Sequence, residues 1–271
     1  MTRPLDEAKV LVYTVTRADT PARVKAAAAS LLLGQKTAGL SCDWIIYCNS
    51  PQMHEWAQWA WRNGQTWGTG ENVGQHVALR DVLAYARAEG YDFIVKVDDD
   101  VEWMTRRWLR RLVVAAYSIH AASSKWCLVG PRVFSLSNPI PHALDTEVPS
   151  VESGRTLPIR VMPIIGGLVR LHHISFFKDY FLDVRRAMGS GGDASIRDHS
   201  VGDDGPKVAS IVCRHVRVRH NTKKQQADDP VYHRMHRVMQ LVPFIPNRTG
   251  GTGFDDRAPD ATGEWPTQDG K

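Results

Sequence analysis

Apolar residues early in the chain fall into short unbroken runs. Residues 10–15 (VLVYTV), 44–48 (WIIYC), 93–97 (FIVKV) and 126–130 (WCLVG) are each of strand length and rich in β-branched or aromatic side chains. Between them the pattern turns helical. Asp19-Thr20-Pro21 supplies a helix start with Pro in the first turn, and the Ala- and Leu-rich segment 22–33 follows it. Asn49-Ser50-Pro51 predicts a turn that stops the second strand. The Trp-rich stretch 56–67 reads as a helix running into the loop Gly68-Thr69-Gly70, and 75–88 reads as a helix ended by Gly90. Residues 103–120 read as an amphipathic helix with Arg106, Arg107, Arg110 and Arg111 on its polar side. Strands alternating with helices through short links predict an α/β domain. Its sheet is expected to be mostly parallel and flanked by helices, with ligands at the carboxyl ends of the strands.

The second half is less regular. Residues 135–158, rich in Pro and Ser, read as a long loop or small insertion. Strand-like pieces at 160–165 and 168–171 flank Gly166-Gly167, and 189–205 is rich in Gly and Asp. Further strands are expected at 208–212 and 216–218, and a helix at 231–239. From 246 to 271 Gly, Thr, Pro and Asp replace core formers, which predicts a disordered tail after one domain over 1–245.

Composition narrows this picture. With 271 residues, 43% of them hydrophobic, the chain can bury a full core. It contains no apolar run of about 18 residues and no signal-peptide pattern, so a transmembrane segment is not expected and a cytoplasmic location is. Cys42, Cys48, Cys127 and Cys213 form no CxxC pair and are expected to be buried thiols. The net charge of +5 is too small to name DNA or membrane as partner. Residues 207–237, however, hold eight Lys and Arg against Asp228 and Asp229, which suits an anionic ligand.

The sharpest chemical feature is Asp98-Asp99-Asp100 at the end of the 93–97 run. If strand geometry persists through the triplet, Asp98 and Asp100 face one site and Asp99 faces elsewhere. Clustered carboxylates at the end of a buried strand repel one another, and a cation relieves them. Oxygen ligands favour Mg²⁺ or Mn²⁺ bound together with substrate phosphates. The competing reading is a solvated acidic turn that caps a helix starting near Glu102.

From Asn72-Val73-Gly74 through the strand 93–97 to Asp98-Asp99-Asp100, the sequence resembles the central part of family 2-type glycosyltransferases of the GT-A fold. The resemblance implies a GT-A (Rossmann-like) fold in which about 1–130 binds the nucleotide-sugar and about 131–245 the acceptor. It further implies that Asp98 contacts the ribose or the metal and that Asp100 ligates a metal bridging the sugar-nucleotide diphosphate, with Asp99, Asn72 and Gly74 lining the donor site. Thr16 and Arg17 are similar to the family's nucleotide-binding loop after the first strand. Asn49 stands where the family usually has a base-reading Asp; its amide still suits a uracil edge, so a UDP-sugar is favoured. Gly166 and Gly167 resemble a small-residue acceptor loop. Asp203-Asp204 resembles the family's acidic pair, usually Glu-Asp, with Asp204 the implied general base and Asp203 a neighbouring carboxylate. Asp193 and Asp198 are alternative bases. His220, ending the alternating stretch 216–220, is similar to a late metal-ligating histidine. Arg217, Arg219, Lys223 and Lys224 nearby suit the departing diphosphate.

These residues imply a metal-dependent transfer of sugar from a nucleotide-diphosphate sugar to an acceptor hydroxyl, with inversion if Asp204 is the base. Two other readings stand beside it. Nucleotidyl transfer would use the same carboxylates, but the sequence has no Gly-rich loop with an attendant Lys after the first strand. A nucleic-acid-binding module would use the basic 207–237 region and the aromatic residues. The nucleic-acid reading merges with the glycosyltransferase one if the acceptor is a modified base in DNA. Protein, glycan and lipid-linked sugar are equally open as acceptors.

Overall fold

The computed structural model describes residues 3–62, 64–71, 74–134, 144–162, 168–176, 201–202, 205–206 and 210–220. The chain opens with β1 (Val10–Thr16), α1 (Pro21–Thr37), β2 (Asp43–Cys48), α2 (Pro51–Ala60), β3 (Gln65–Trp67), α3 (Gly74–Ala88) and β4 (Phe93–Val97). It continues with β5 (Val101–Trp103), α4 (Trp108–Ser123), β6 (Leu128–Val133), β7 (Leu144–Pro149), β8 (Thr156–Met162) and β9 (Val169–His173). The short β10 (Val201–Gly202) and β11 (Gly205–Pro206) and the long β12 (Ser210–His220) complete it.

One sheet has the order β3-β2-β1-β4-β9-β6-β12-β8-β7, with β5 paired to β12 beside that path. In its central part β3, β2, β1, β4, β6 and β12 run one way and β9 alone opposes them; β8 and β7 extend the edge as an antiparallel ribbon. This is the expected α/β class, a GT-A-like (Rossmann-like) mostly parallel central sheet flanked by helices. The alternation of strand side chains sets its two faces. Val10, Val12, Trp44, Ile46, Phe93, Val95 and Val129 pack with residues of α1, α2 and α4 on one face. Leu11, Tyr13, Ile45, Ile94 and Leu128 pack with Leu79, Val82, Leu83 and Ala86 of α3 on the other. Four of the strands are therefore apolar on both sides, and this is why they stand out as unbroken runs.

Several elements differ from the sequence reading. Ser50 and Pro51 do not close a turn: the Ser50 hydroxyl caps Met53 N–H and Pro51 opens α2, which starts ahead of the Trp-rich stretch and covers its first part to Ala60, while the end of that stretch forms β3. The helix expected from Trp103 begins five residues later, because 101–103 pairs with β12 as a strand. The expected loop over 135–158 contains β7 and the start of β8, whose polar and Pro-bearing residues suit an exposed edge ribbon. The two late strands are one, β12, with a register shift between Cys213 and Arg217. The expected helix at 231–239 and the tail at 246–271 lie outside the described residues. None of the four cysteines is in a disulfide, and Cys48, Cys127 and Cys213 are buried. Among the described residues no helix is long and apolar enough to cross a membrane.

Candidate functional site

In the strand order β3-β2-β1-β4, the sequence-consecutive steps from β1 to β2 and β3 run one way, while β4 is added on the other side of β1. The carboxyl ends of β1 and β4 thus border the crevice where doubly wound sheets take their ligands. Thr16 ends β1 and the acidic triplet follows β4, so both stand at this point.

The triplet does not continue the strand. β4 stops at Val97 and Asp99 and Asp100 form a turn into β5, so the expected alternation of facing fails. Asp98 donates its N–H to the Leu168 carbonyl at 2.8 Å, and its carboxylate receives the Lys96 ammonium at 2.8 Å. Lys96 is buried on the α3 face, opposite Tyr13 of β1 and Arg170 of β9 in strand register. Burial lowers the Lys96 pKa, and Asp98 works against that shift. Asp98 is thus already matched by a protein cation.

Asp99, expected to face away from the site, turns back towards β1 and accepts a hydrogen bond from the Thr16 hydroxyl. Enclosure pushes its pKa up to about 7; the Thr16 hydrogen bond opposes this, and the charges of Asp100 and Asp98 add to it. The middle residue of the triplet is therefore the one that ties β4 to β1.

The same strand ends are joined by further hydrogen bonds. Asn49 N–H donates to the Thr16 carbonyl at 2.8 Å, Ala18 N–H to the Thr16 hydroxyl at 3.3 Å, and the Ser50 hydroxyl to the Ala18 carbonyl. Asn49 is only 6% exposed, and its side-chain Oδ1 has no hydrogen-bond partner among the described residues. Arg17 is exposed beside it, its guanidinium 4.0 Å from Asp19. The loop after β3 closes over the end of β2. Gly68 and Gly70 have φ of 80° and 87°, and a Cβ on Gly68 would meet the Cys48 carbonyl oxygen at 2.7 Å, so the path demands glycine.

Of the other expected residues, Gly74 is the first of α3, and Asn72, Gly166, Gly167, Asp193, Asp198, Asp203 and Asp204 lie outside the described residues. Gly202 and Gly205, on either side of Asp203-Asp204, pair antiparallel. His220 ends β12 with its backbone opposite Val101, one residue past Asp100. The strand pairing thus brings two distant parts of the sequence together at the triplet. Lys96, Arg170 and Ser50 escaped the sequence reading. The signal for the first two was a lone cation inside an otherwise apolar run, which a buried strand tolerates only with a partner.

Among the described residues no three His, Cys, Asp or Glu side chains converge as a ready metal cluster. A cation that bridges a diphosphate needs only one or two carboxylates, with phosphate oxygens and water completing its shell. A triplet whose middle member is driven towards protonation by burial, with the charges of its neighbours adding to it, has the hard oxygen donors and the charge excess that suit such an ion.

No family model matches this sequence, and no curated protein matches it. Among solved structures it is similar to S. aureus TarS 1-349, at 9% identity and a TM-score of 0.49, covering 85% of this chain and 64% of that one. It is also similar to A197 from STIV, at 9% identity and a TM-score of 0.39, covering 78% and 85%. A third likeness is to mannose-1-phosphate geranyltransferase from Thermus thermophilus, at 12% identity and a TM-score of 0.41, covering 88% and 81%. This chain therefore spans less than two thirds of the TarS fragment.

Proposed function

We propose that this chain is a glycosyltransferase that moves a sugar from a nucleotide-diphosphate sugar, with a UDP-sugar favoured, to an acceptor hydroxyl. The observation that carries the reading is the acidic triplet at the crevice between β1 and β4, fixed there by the Asp99–Thr16 hydrogen bond. A Mn²⁺ or Mg²⁺ ion, for which Asp100, Asp98 and His220 are the proposed ligands, would neutralise charge on the departing diphosphate. Thr16, Arg17 and Asn49 are the residues assigned to the nucleoside, Asn49 through a buried amide oxygen that still needs a donor such as a uracil N–H. Asn72, Gly74, Gly166 and Gly167 would complete the walls of the site. Asp204, with Asp203 beside it, is assigned as the base that takes the acceptor proton, a contribution of about 10²- to 10⁴-fold in rate. A single displacement of that kind inverts the anomeric centre. The loop between β1 and α1 contains no glycine, which weighs against a triphosphate cradle and so against nucleotidyl transfer.

A donor screen tests this. Nucleoside diphosphate release is measured with Mn²⁺ or Mg²⁺, with and without EDTA, for the parent chain and for Asp100→Ala and Asp204→Ala. Turnover that depends on metal and is lost in both variants is expected. Turnover in EDTA, or an unimpaired Asp100→Ala chain, would remove the reading.

A further inference from the structure

Past its register shift, β12 carries Arg217 and Arg219 outward, while Val216 and Val218 face the core. Arg217 pairs in register with Arg132 of β6, so two arginines stand on adjacent parallel strands. Both are exposed, and both guanidiniums lie over one ring, that of Phe134, at 4.9 Å and 6.0 Å from its centroid. Phe134 is itself 43% exposed. Among the described residues neither guanidinium has a carboxylate within ion-pair distance. The Asp145 carboxylate near Arg132 is already held by Arg160, through two contacts at 2.7 and 2.8 Å, and by Arg214 at 3.6 Å. Arg219, further along, is matched by Glu102 at 3.3 Å. Two like charges drawn to one ring without a counter-ion repel each other, and an anion bound across their forks relieves this.

The position of the pair sets it apart from the acidic triplet, beside which the departing diphosphate would sit. Met104 N–H bonds the Arg217 carbonyl, and the Thr105 hydroxyl accepts from Arg217 N–H. Arg217 is therefore level with a point four residues beyond Asp100, at most roughly 13 Å along the chain. It also lies in the part of the sheet opposite β2 and β3, across from the crevice. With both guanidiniums over the ring, Phe134 is a platform that aligns cations rather than a free face for stacking a base.

We propose that Arg132, Phe134 and Arg217 form a subsite for a phosphate group carried by the acceptor, about one or two sugar units from the hydroxyl that reacts. That the ligand is the acceptor rests on the glycosyltransferase reading; that the pair binds phosphate does not. Arginine forks match phosphate in two-point geometry, which a lysine ammonium does not.

The test is a titration, in EDTA, of the intact chain with one oligosaccharide in phosphorylated and unphosphorylated forms, and with an oligothymidylate of similar charge. The phosphorylated form is expected to bind at least about tenfold more tightly than its twin, and Arg132→Ala/Arg217→Ala to abolish that difference. Arg132→Lys/Arg217→Lys should restore only part of it. Thermal unfolding of each variant guards against loss of fold, and single Gln substitutions serve if the double variant unfolds. Equal binding of the two sugars, or a preference that survives loss of both arginines, overturns the proposal. Tighter, arginine-dependent binding of oligothymidylate overturns it in favour of a nucleic-acid site. UDP binding with Mn²⁺ is measured separately: a chain that takes the phosphorylated sugar but no nucleotide loses the transferase reading and keeps this subsite.

Discussion

Thr16 does two jobs with one hydroxyl, accepting from Ala18 N–H and donating to the Asp99 carboxylate. Its own exposure is 1%, so no water replaces it if it is removed. Thr16→Val keeps the shape of the side chain and leaves a carboxylate and an N–H short of a partner. The expected cost is about 1–3 kcal/mol in denaturant unfolding. A larger proportional loss is expected in donor affinity, because the triplet loses its tie to β1. An unchanged midpoint would show that Asp99 finds another donor. At this scale the sequence was legible in identity but not in conformation. The triplet, Thr16 and Asn49 could be named from the strands they end. That Asp99, rather than its neighbours, turns to β1 depends on a turn at residues 99–100 and on β1 lying beside β4, neither of which local spacing encodes.

Gly34 shows how one element is shaped by another. It sits inside α1, where glycine costs about 1 kcal/mol relative to alanine. An added Cβ would meet the Trp103 indole at 2.8 Å, and that ring cannot step aside: it stacks on Trp108 at 4.3 Å and donates its N–H to the Ser30 carbonyl. Trp108 in turn donates to the Gly34 carbonyl at 2.8 Å. Gly34→Ala is therefore expected to destabilise the fold by about 1–3 kcal/mol despite its better helix propensity, read as a lower thermal midpoint. Elements whose both faces are buried, β1, β2 and β4, were legible because little that is polar interrupts them beyond Thr14 and Lys96. β7 and β8 were not, since an exposed ribbon carries the Pro, Asp and Glu that otherwise mark loops. β5 was hidden because Trp103 fits the apolar stripe of the helix that follows it.

At the scale of the whole molecule, opposite ends of the sheet titrate in opposite senses. Asp99, at the carboxyl end, has a folded pKa raised to about 7. The stability this gives is full below the unfolded value of about 4 and is lost as pH rises towards 7. At the other end Trp126 lies between His120 and His173, each 4.0 Å away and nearly parallel. Burial, with His120 adding and Asp92 opposing, holds His173 down to about 4, and His172 is held well below its usual value. Those imidazoles stay neutral in the fold while the unfolded chain takes protons below about 6.5, so their stability is lost as pH falls towards 4. The two trends partly cancel between pH 4 and 7. Asp99→Asn should deepen the loss of stability on acidification and His173→Phe, with His172 still in place, should lessen it, both read as thermal midpoints against pH. Identical profiles for the two variants would contradict both assignments.

β5 also bears on how such a chain can be recombined. The acidic triplet runs without a linker into residues 101–103, and these are zipped to the last residues of β12. A chimera cut near residue 130, to pair this amino-terminal half with a foreign partner, would separate strands that share hydrogen bonds across the cut. β4 pairs with β9 across the same cut, so the transplantable unit is the carboxyl segment together with 93–103, and a graft that omits that stretch would arrive with open sheet edges at both β9 and β12.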